Sequence, residues 1–207
     1  MKKILIGVLI LAAVILIFVK KPAGNKSRSI AGIPAPIQSA ATGGTSFEKD
    51  GYKVSIKYKA DYTVEALVLS THSYFSGSIT DKLAPKDLAL GWGTVAEYND
   101  RIDFHWSQSG RWYHWRVDDS SVLGPVGGIS GVSKQSANNH LIASTETIQK
   151  LIENVKTGGH IRITGYLIDL RAEKDDGTYY TWSSSTSRDD TGDGSCELIY
   201  VTKFENV

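Results

Sequence analysis

A thiol becomes a useful nucleophile when an imidazole takes its proton and a third polar group holds that imidazole in place. The chain has one cysteine, Cys196, and a polar run Asn138-Asn139-His140 ahead of a helical segment. His140 and Cys196, with an asparagine as orienter, would make a hydrolase site if the fold brings them together. The competing reading gives Cys196, next to a strand, the role of a small buried hydrophobe, and gives Asn138 and Asn139 the turn into the helix.

The densest polar cluster is Arg188-Asp189-Asp190-Thr191-Gly192-Asp193-Gly194. Asp189, Thr191 and Asp193 alternate and are followed by Gly194, as in the first half of a calcium loop. The second half fails, because Tyr200 stands where a bidentate glutamate is needed. A tight turn, in which Asp side chains bond their own backbone, explains the same residues. Calcium is therefore the one cofactor the residues admit, and no cofactor is the main expectation. Patterns of the HExxH, GxxxxGK[ST], GxSxG and paired-cysteine kinds are missing.

Binding chemistry concentrates between Ile102 and Val117, which holds three of the five tryptophans. If Phe104, Trp106, Tyr113 and Trp115 pack inward, Trp112, His114 and Arg116 project from the other face. Together with Asn138, Asn139, His140 and Arg188 on adjacent loops, they form the expected binding set. Aromatic and arginine side chains displayed in this way suit a protein or glycan partner. Nucleic acid is not expected. Six of the 23 basic residues lie within positions 1–28, all 22 acidic ones follow Phe47, and the remainder is net acidic.

These groups need a scaffold, and the chain divides into three parts. Residues 1–21 contain sixteen consecutive residues without a polar side chain, Ile4 to Val19, bracketed by Lys2, Lys3, Lys20 and Lys21. At about 1.5 Å per residue this run covers roughly 24 Å. Lysine snorkelling and slight bilayer thinning extend it to a transmembrane helix. No small-x-small cleavage site follows the run directly, so a retained single-pass anchor is expected. The short N-terminal tail places the soluble domain outside the cytoplasm. Residues 22–47, rich in Gly, Ala, Ser and Pro, read as a flexible linker.

Residues 48–207 read as one soluble β-rich domain. Tyr52, Val54, Ile56 and Tyr58 alternate with polar residues, and a second alternation runs through Tyr62, Val64, Ala66 and Val68. A helical turn is expected near Lys86 to Leu90. Ser107 to Gly110 would connect a hairpin, and Gly124 to Gly131 would be a loop. The clearest helix is Thr145 to Lys156, with Ile148, Leu151, Ile152 and Val155 on one stripe and Gly158-Gly159 after it. Strands follow at His160 to Leu170, Tyr179 to Ser184 and Glu197 to Phe204. The fold class is mainly β with one amphipathic helix (α+β). Its element order favours a small OB-like β-barrel, in which a single helix sits between the third and fourth strands.

The segments LAPKDLALGWG (Leu83 to Gly93), HWSQSGRWYHWRV (His105 to Val117), SANNHLIAS (Ser136 to Ser144), GGHIRITGYLIDL (Gly158 to Leu170) and SRDDTGDGSCELIYV (Ser187 to Val201) resemble a family of uncharacterised, N-terminally anchored bacterial proteins. That resemblance implies a bacterial inner-membrane setting and supplies no activity. The expected function is a non-enzymatic binding module of the cell envelope. Alternatives are a hydrolase using His140 and Cys196 or the acidic turn, and a structural subunit of a membrane complex.

Overall fold

The computed structural model describes residues 28–187 and 196–207. The proposed anchor, Arg188, Asp189, Thr191 and Asp193 lie outside the described residues, among which no helix is long and apolar enough to cross a membrane. The domain is mainly β. Its strands are β1 (Ile37–Ala40), β2 (Gly44–Lys49), β3 (Tyr52–Ser73), β4 (Lys86–Gly91), β5 (Ser107–Ser109), β6 (Trp112–His114), β7 (Ser136–Ala143), β8 (His160–Glu173), β9 (Tyr179–Ser183) and β10 (Glu197–Asn206). Helices α1 (Ile79–Leu83), α2 (Gly93–Tyr98), α3 (Gly128–Lys134) and α4 (Glu146–Asn154) punctuate them, with a 3-10 turn over Ser120–Val126.

The two alternating stretches expected after Tyr52 are one continuous strand. β3 keeps its even-numbered apolar pattern through a bulge at Lys59, where Tyr58 faces Ile168 but Ala60 faces Leu167. One extra residue turns the same parity to the opposite side of the sheet. Val54 and Ile56 consequently enter one core, and Tyr62, Val64 and Ala66 enter another. Pairings run from β3 to β4, β4 to β7, β7 to β10, β10 to β8 and β8 back to β3, with β7–β10 the one parallel step of the five. Gly165 permits a close approach of β8 to β10, since a Cβ there would lie 2.1 Å from the Tyr200 carbonyl oxygen.

The larger core lies on one side of these strands and includes Leu88, Leu90, Leu141, Ile163, Leu167, Ile199 and Val201. α4 packs Ile148 and Ile152 against it, and the Thr145 side chain caps the helix by accepting from Ile148 N at 3.2 Å. Leu151, at the rim of the expected stripe, stays 37% exposed. Buried Lys86 closes the other end of α4 by donating to the carbonyls of Glu153 (2.8 Å) and Val155 (2.6 Å), where a cation suits the helix dipole. The smaller core gathers Ile56, Leu83, Ile142, Ile168, Leu170 and Leu198 on the opposite face of the sheet.

Several expectations are corrected. Lys86 to Leu90 is strand β4, buried on both faces, so the polar alternation that marks a half-exposed strand is absent. The helical turn lies earlier, in α1, capped by Ser78. Gly124 to Gly131 is helical in two pieces broken at Gly127 (φ 82°), and the Gln135 amide donates to the carbonyls of Val126 and Gly131. From Arg28 onward the expected linker lies on the domain. Ile30 N donates to Ala96 O, Ile33 is buried, and β1 and β2 pair with β3. Asn138-Asn139-His140 is no turn but the middle of β7, flanked by β4 and β10.

Candidate functional site

Ser107 to Gly110 is not the expected connector, since Ser107–Ser109 is strand β5; the hairpin of β5 and β6 turns through Gly110 and Arg111, both at positive φ (57° and 72°), the conformation of a two-residue primed turn. Arginine in this region costs about 1–2 kcal/mol. In that conformation Arg111 N donates to the Tyr74 hydroxyl at 3.1 Å while the guanidinium lies 3.7 Å over the Tyr74 ring. One guanidinium nitrogen reaches Asp87 Oδ1 (2.8 Å) and the Ala84 carbonyl (2.7 Å), and the other reaches Asp81 Oδ1 (2.6 Å).

Antiparallel register puts Asp87 of β4 opposite His140 of β7. His140 Nδ1 lies 2.9 Å from the same Asp87 Oδ1, and its ring packs 4.6 Å from that of Trp182 on β9. Two residues along β7, Asn138 donates to Arg111 O at 2.8 Å and accepts from Gln108 Nε2 at 2.7 Å. Cys196 approaches the same place, its Sγ 4.0 Å from both Asn138 Nδ2 and Arg111 O. Hairpin, sheet face and the residue before β10 thus meet at Arg111, through its carbonyl as well as its guanidinium.

Burial sets the electrostatics of this cluster. Asp87 is fully buried, Asn138 is 1% exposed and His140 is 3% exposed. Burial pushes the Tyr74 phenol far above its ordinary value, and the neighbouring Asp87 carboxylate adds to the shift. Burial alone would raise Asp81 as well, but hydrogen bonds from Ser76 and Arg111 outweigh it and hold the carboxyl below the usual range. The Tyr113 phenol is raised by burial, against a hydrogen bond with Ser136.

A carboxylate on Nδ1 is how a general base is oriented in a nucleophilic triad. Here the same carboxylate oxygen also holds Arg111, and the imidazole is enclosed by Trp182. The contacts of Cys196 include Asn138 and the Arg111 carbonyl, while those of His140 include Asp87 and Trp182. Asn138 and Cys196 of the expected trio therefore meet at the Arg111 carbonyl, while His140 is set against Asp87 and Trp182.

The expected binding set divides. Phe104 is buried, and Trp106, Tyr113 and Trp115 pack against the larger core, as the hairpin pattern requires. Trp112 is half-buried, His114 is exposed with Nε2 3.4 Å from Ser109 Oγ, and exposed Arg116 pairs with Asp118 at 2.7 Å. Asn138 and His140 are inside, as is Asn139, whose Nδ2 donates to Leu88 O and Ala137 O. No direct contact with a partner is open to these three without rearrangement.

Sequence reasoning missed Arg111, Asp81 and Asp87, and the signal for Asp87 was present. A lone aspartate and lysine inside the apolar run Leu83 to Gly93 are charges that need partners if buried. It also missed two open concavities. One, of about 560 Å³, lies along β3, β8 and β9 beside Lys57, Asp169, Arg171 and Ser183. Ile56 and Leu170 beneath it are 4% and 3% exposed, yet its accessible wall, which includes Trp182, is mostly apolar. The other, of about 350 Å³, lies between β2, α1 and the start of α4 and is bordered by Phe47 and Tyr200. Among the described residues no group of three or more His, Cys, Asp or Glu side chains is placed to hold a metal. In comparisons with known proteins, no family model matches the chain and no curated protein matches it.

Proposed function

We propose that this chain is a single-pass bacterial envelope protein whose β domain is a small OB-like barrel serving as a non-catalytic binding module for a protein or glycan. Two features support the barrel reading. The five pairings return to their starting strand with a single parallel step, and α4 lies between the third and fourth strands of that ring. The apolar segment Ile4 to Val19 and its flanking lysines support the anchor.

One observation carries the binding reading. The richest set of reactive side chains, Asp81, Asp87, Arg111 and His140, is built inward, with Arg111 paired to both aspartates and His140 set against Asp87. Two open concavities, by contrast, are bordered by aromatic, hydroxyl and charged groups of the kind that fix ligands, and the one beside Phe47 adds the Gln149 amide. The test is co-sedimentation of the full chain, reconstituted in nanodiscs, with purified bacterial sacculi. Saturable retention is expected; a chain that stays in the supernatant at every sacculus concentration removes this reading for glycan.

A hydrolase is the second reading, favoured by the Asp87–His140 contact and by Cys196 on the same face. It requires an activated thiol. Iodoacetamide should then modify Cys196 faster than it modifies a free thiol, and His140→Ala should abolish the difference. A slow, His140-independent rate fits the binding module.

A further inference from the structure

The concavity between β2, α1 and the start of α4 has the composition of a sugar site. Its border holds two aromatic rings, Phe47 and Tyr200, and its floor includes buried Leu83 and Ile142. Tyr200 belongs to an aromatic ladder across three strands. Tyr58 and Tyr166 stack at 3.9 Å and 9°, and Tyr200 lies 6.3 Å from Tyr58 at 24°. A ring held by such neighbours presents area at little entropic cost.

Around the rings stand polar groups of every hydrogen-bonding kind. Gln149 gives its amide nitrogen to Glu153 at 2.9 Å, which fixes the side chain and leaves its carbonyl oxygen as an acceptor. Glu146 adds a carboxylate, and Lys49 and Lys82 add ammonium donors, Lys82 standing 3.6 Å from Asp50. Charges of both signs border the space, so no single-sign ligand is selected. Pyranose rings with equatorial substituents present flat C–H faces edged by hydroxyls. Aromatic walls meet the faces, and amide, carboxylate and ammonium groups meet the edges. A volume of about 350 Å³ is at the small end for ligand sites and fits a short saccharide.

We infer that this groove is a saccharide-binding site for a β-linked hexose or N-acetylhexosamine unit of an envelope glycan, with Phe47 and Tyr200 as stacking faces and Glu146, Gln149 and Lys49 as hydroxyl partners. The inference rests on the binding-module reading and gives it a site and a ligand class.

The probe is chitotriose, added to the full chain in nanodiscs and followed by saturation-transfer NMR and calorimetry. Binding is expected with a Kd from about 10 μM to 1 mM, weakened about tenfold by Tyr200→Ala and Phe47→Ala and several-fold by Gln149→Ala. Phe75→Ala and Ile129→Ala, both exposed and outside the groove, leave it unchanged. Gln149 is half-buried on α4 and outside both cores, so its variant reports on binding even if an aromatic variant fails to fold. Lack of chitotriose binding at about 10 mM overturns the inference, as does binding that survives the Tyr200, Phe47 and Gln149 variants. If sacculi still retain the chain in either case, the saccharide site fails alone; if retention fails too, the glycan-binding reading falls with it.

Discussion

Around Arg111, buried charges face one another. Asp81, Asp87 and His140 are drawn onto a single guanidinium and its neighbours, and an aromatic ring covers each side. Around Phe47 and Tyr200, comparable residue types stand at a rim with a cavity between them. Burial accounts for the difference. Inside the fold an unpaired charge is so costly that the aspartates are held against Arg111, although among the described residues Asp87 Oδ2 and His140 Nδ1 lack a hydrogen-bond partner, whereas exposed groups keep bonding capacity for a ligand. Chemically promising residues in an apolar stretch are therefore candidates for architecture first.

Breaking the inner cluster should produce the largest effect. Asp87→Ala strands Arg111 beside Asp81 and leaves His140 without its carboxylate, a loss of about 3–5 kcal/mol by urea denaturation. A loss under about 1 kcal/mol would mean that the cluster behaves like a surface ion pair and that the contrast with the groove is false. Arg111→Met should follow at roughly 2–4 kcal/mol. It should also raise amide hydrogen exchange across Ser107 to His114, because the hairpin loses its fastening to Asp81 and Asp87. Unchanged exchange there would show that hairpin packing suffices.

Acid offers a finer cut. Asp81 is held below the ordinary carboxyl value of about 3.9, so its ionised form stabilises the fold. That contribution is complete above the ordinary value and is lost as pH falls through the lowered one. Glu65 is lowered by the Arg162 hydrogen bond, with His160 helping, and follows the same sign at a more exposed site. Melting temperature should drop below about pH 4, and Asp81→Asn should flatten that drop more than Glu65→Gln does. Equal slopes would erase the distinction between inside and outside. The smallest change belongs to the groove: Gln149→Ala should alter stability by no more than about 0.5 kcal/mol, read in the same urea titration.

Legibility followed the period of the pattern. The stripe of Ile148 and Ile152 with a capping Thr145 made α4 readable, because helix, cap and core demand agree locally. Tyr52 to Val68 read as strand for the same reason, yet the bulge at Lys59 did not show, since it changes which side a parity faces without disturbing that parity. Lys86 to Gly91 misled because a strand covered on both faces loses its alternation. Asn138 to His140 misled in the opposite sense. Three polar residues suggested a turn, but β4 and β10 on either side supply backbone partners and Asp87 receives the imidazole. Nothing near Phe47 could announce Tyr200, which stands over 150 positions away and meets the same groove only through folding.

By itself the sequence determined the mainly β character, the amphipathic helix, the inward side of the aromatic hairpin and the net acidity of the domain, because each follows from residue type and short-range period. Tertiary structure alone decided that Asp81, Asp87, Arg111 and His140 hold one another inside while Phe47, Tyr200 and Gln149 border an open groove. Pairing between strands distant in sequence sets which side chains lose their water, and that loss decides which remain able to bind anything else.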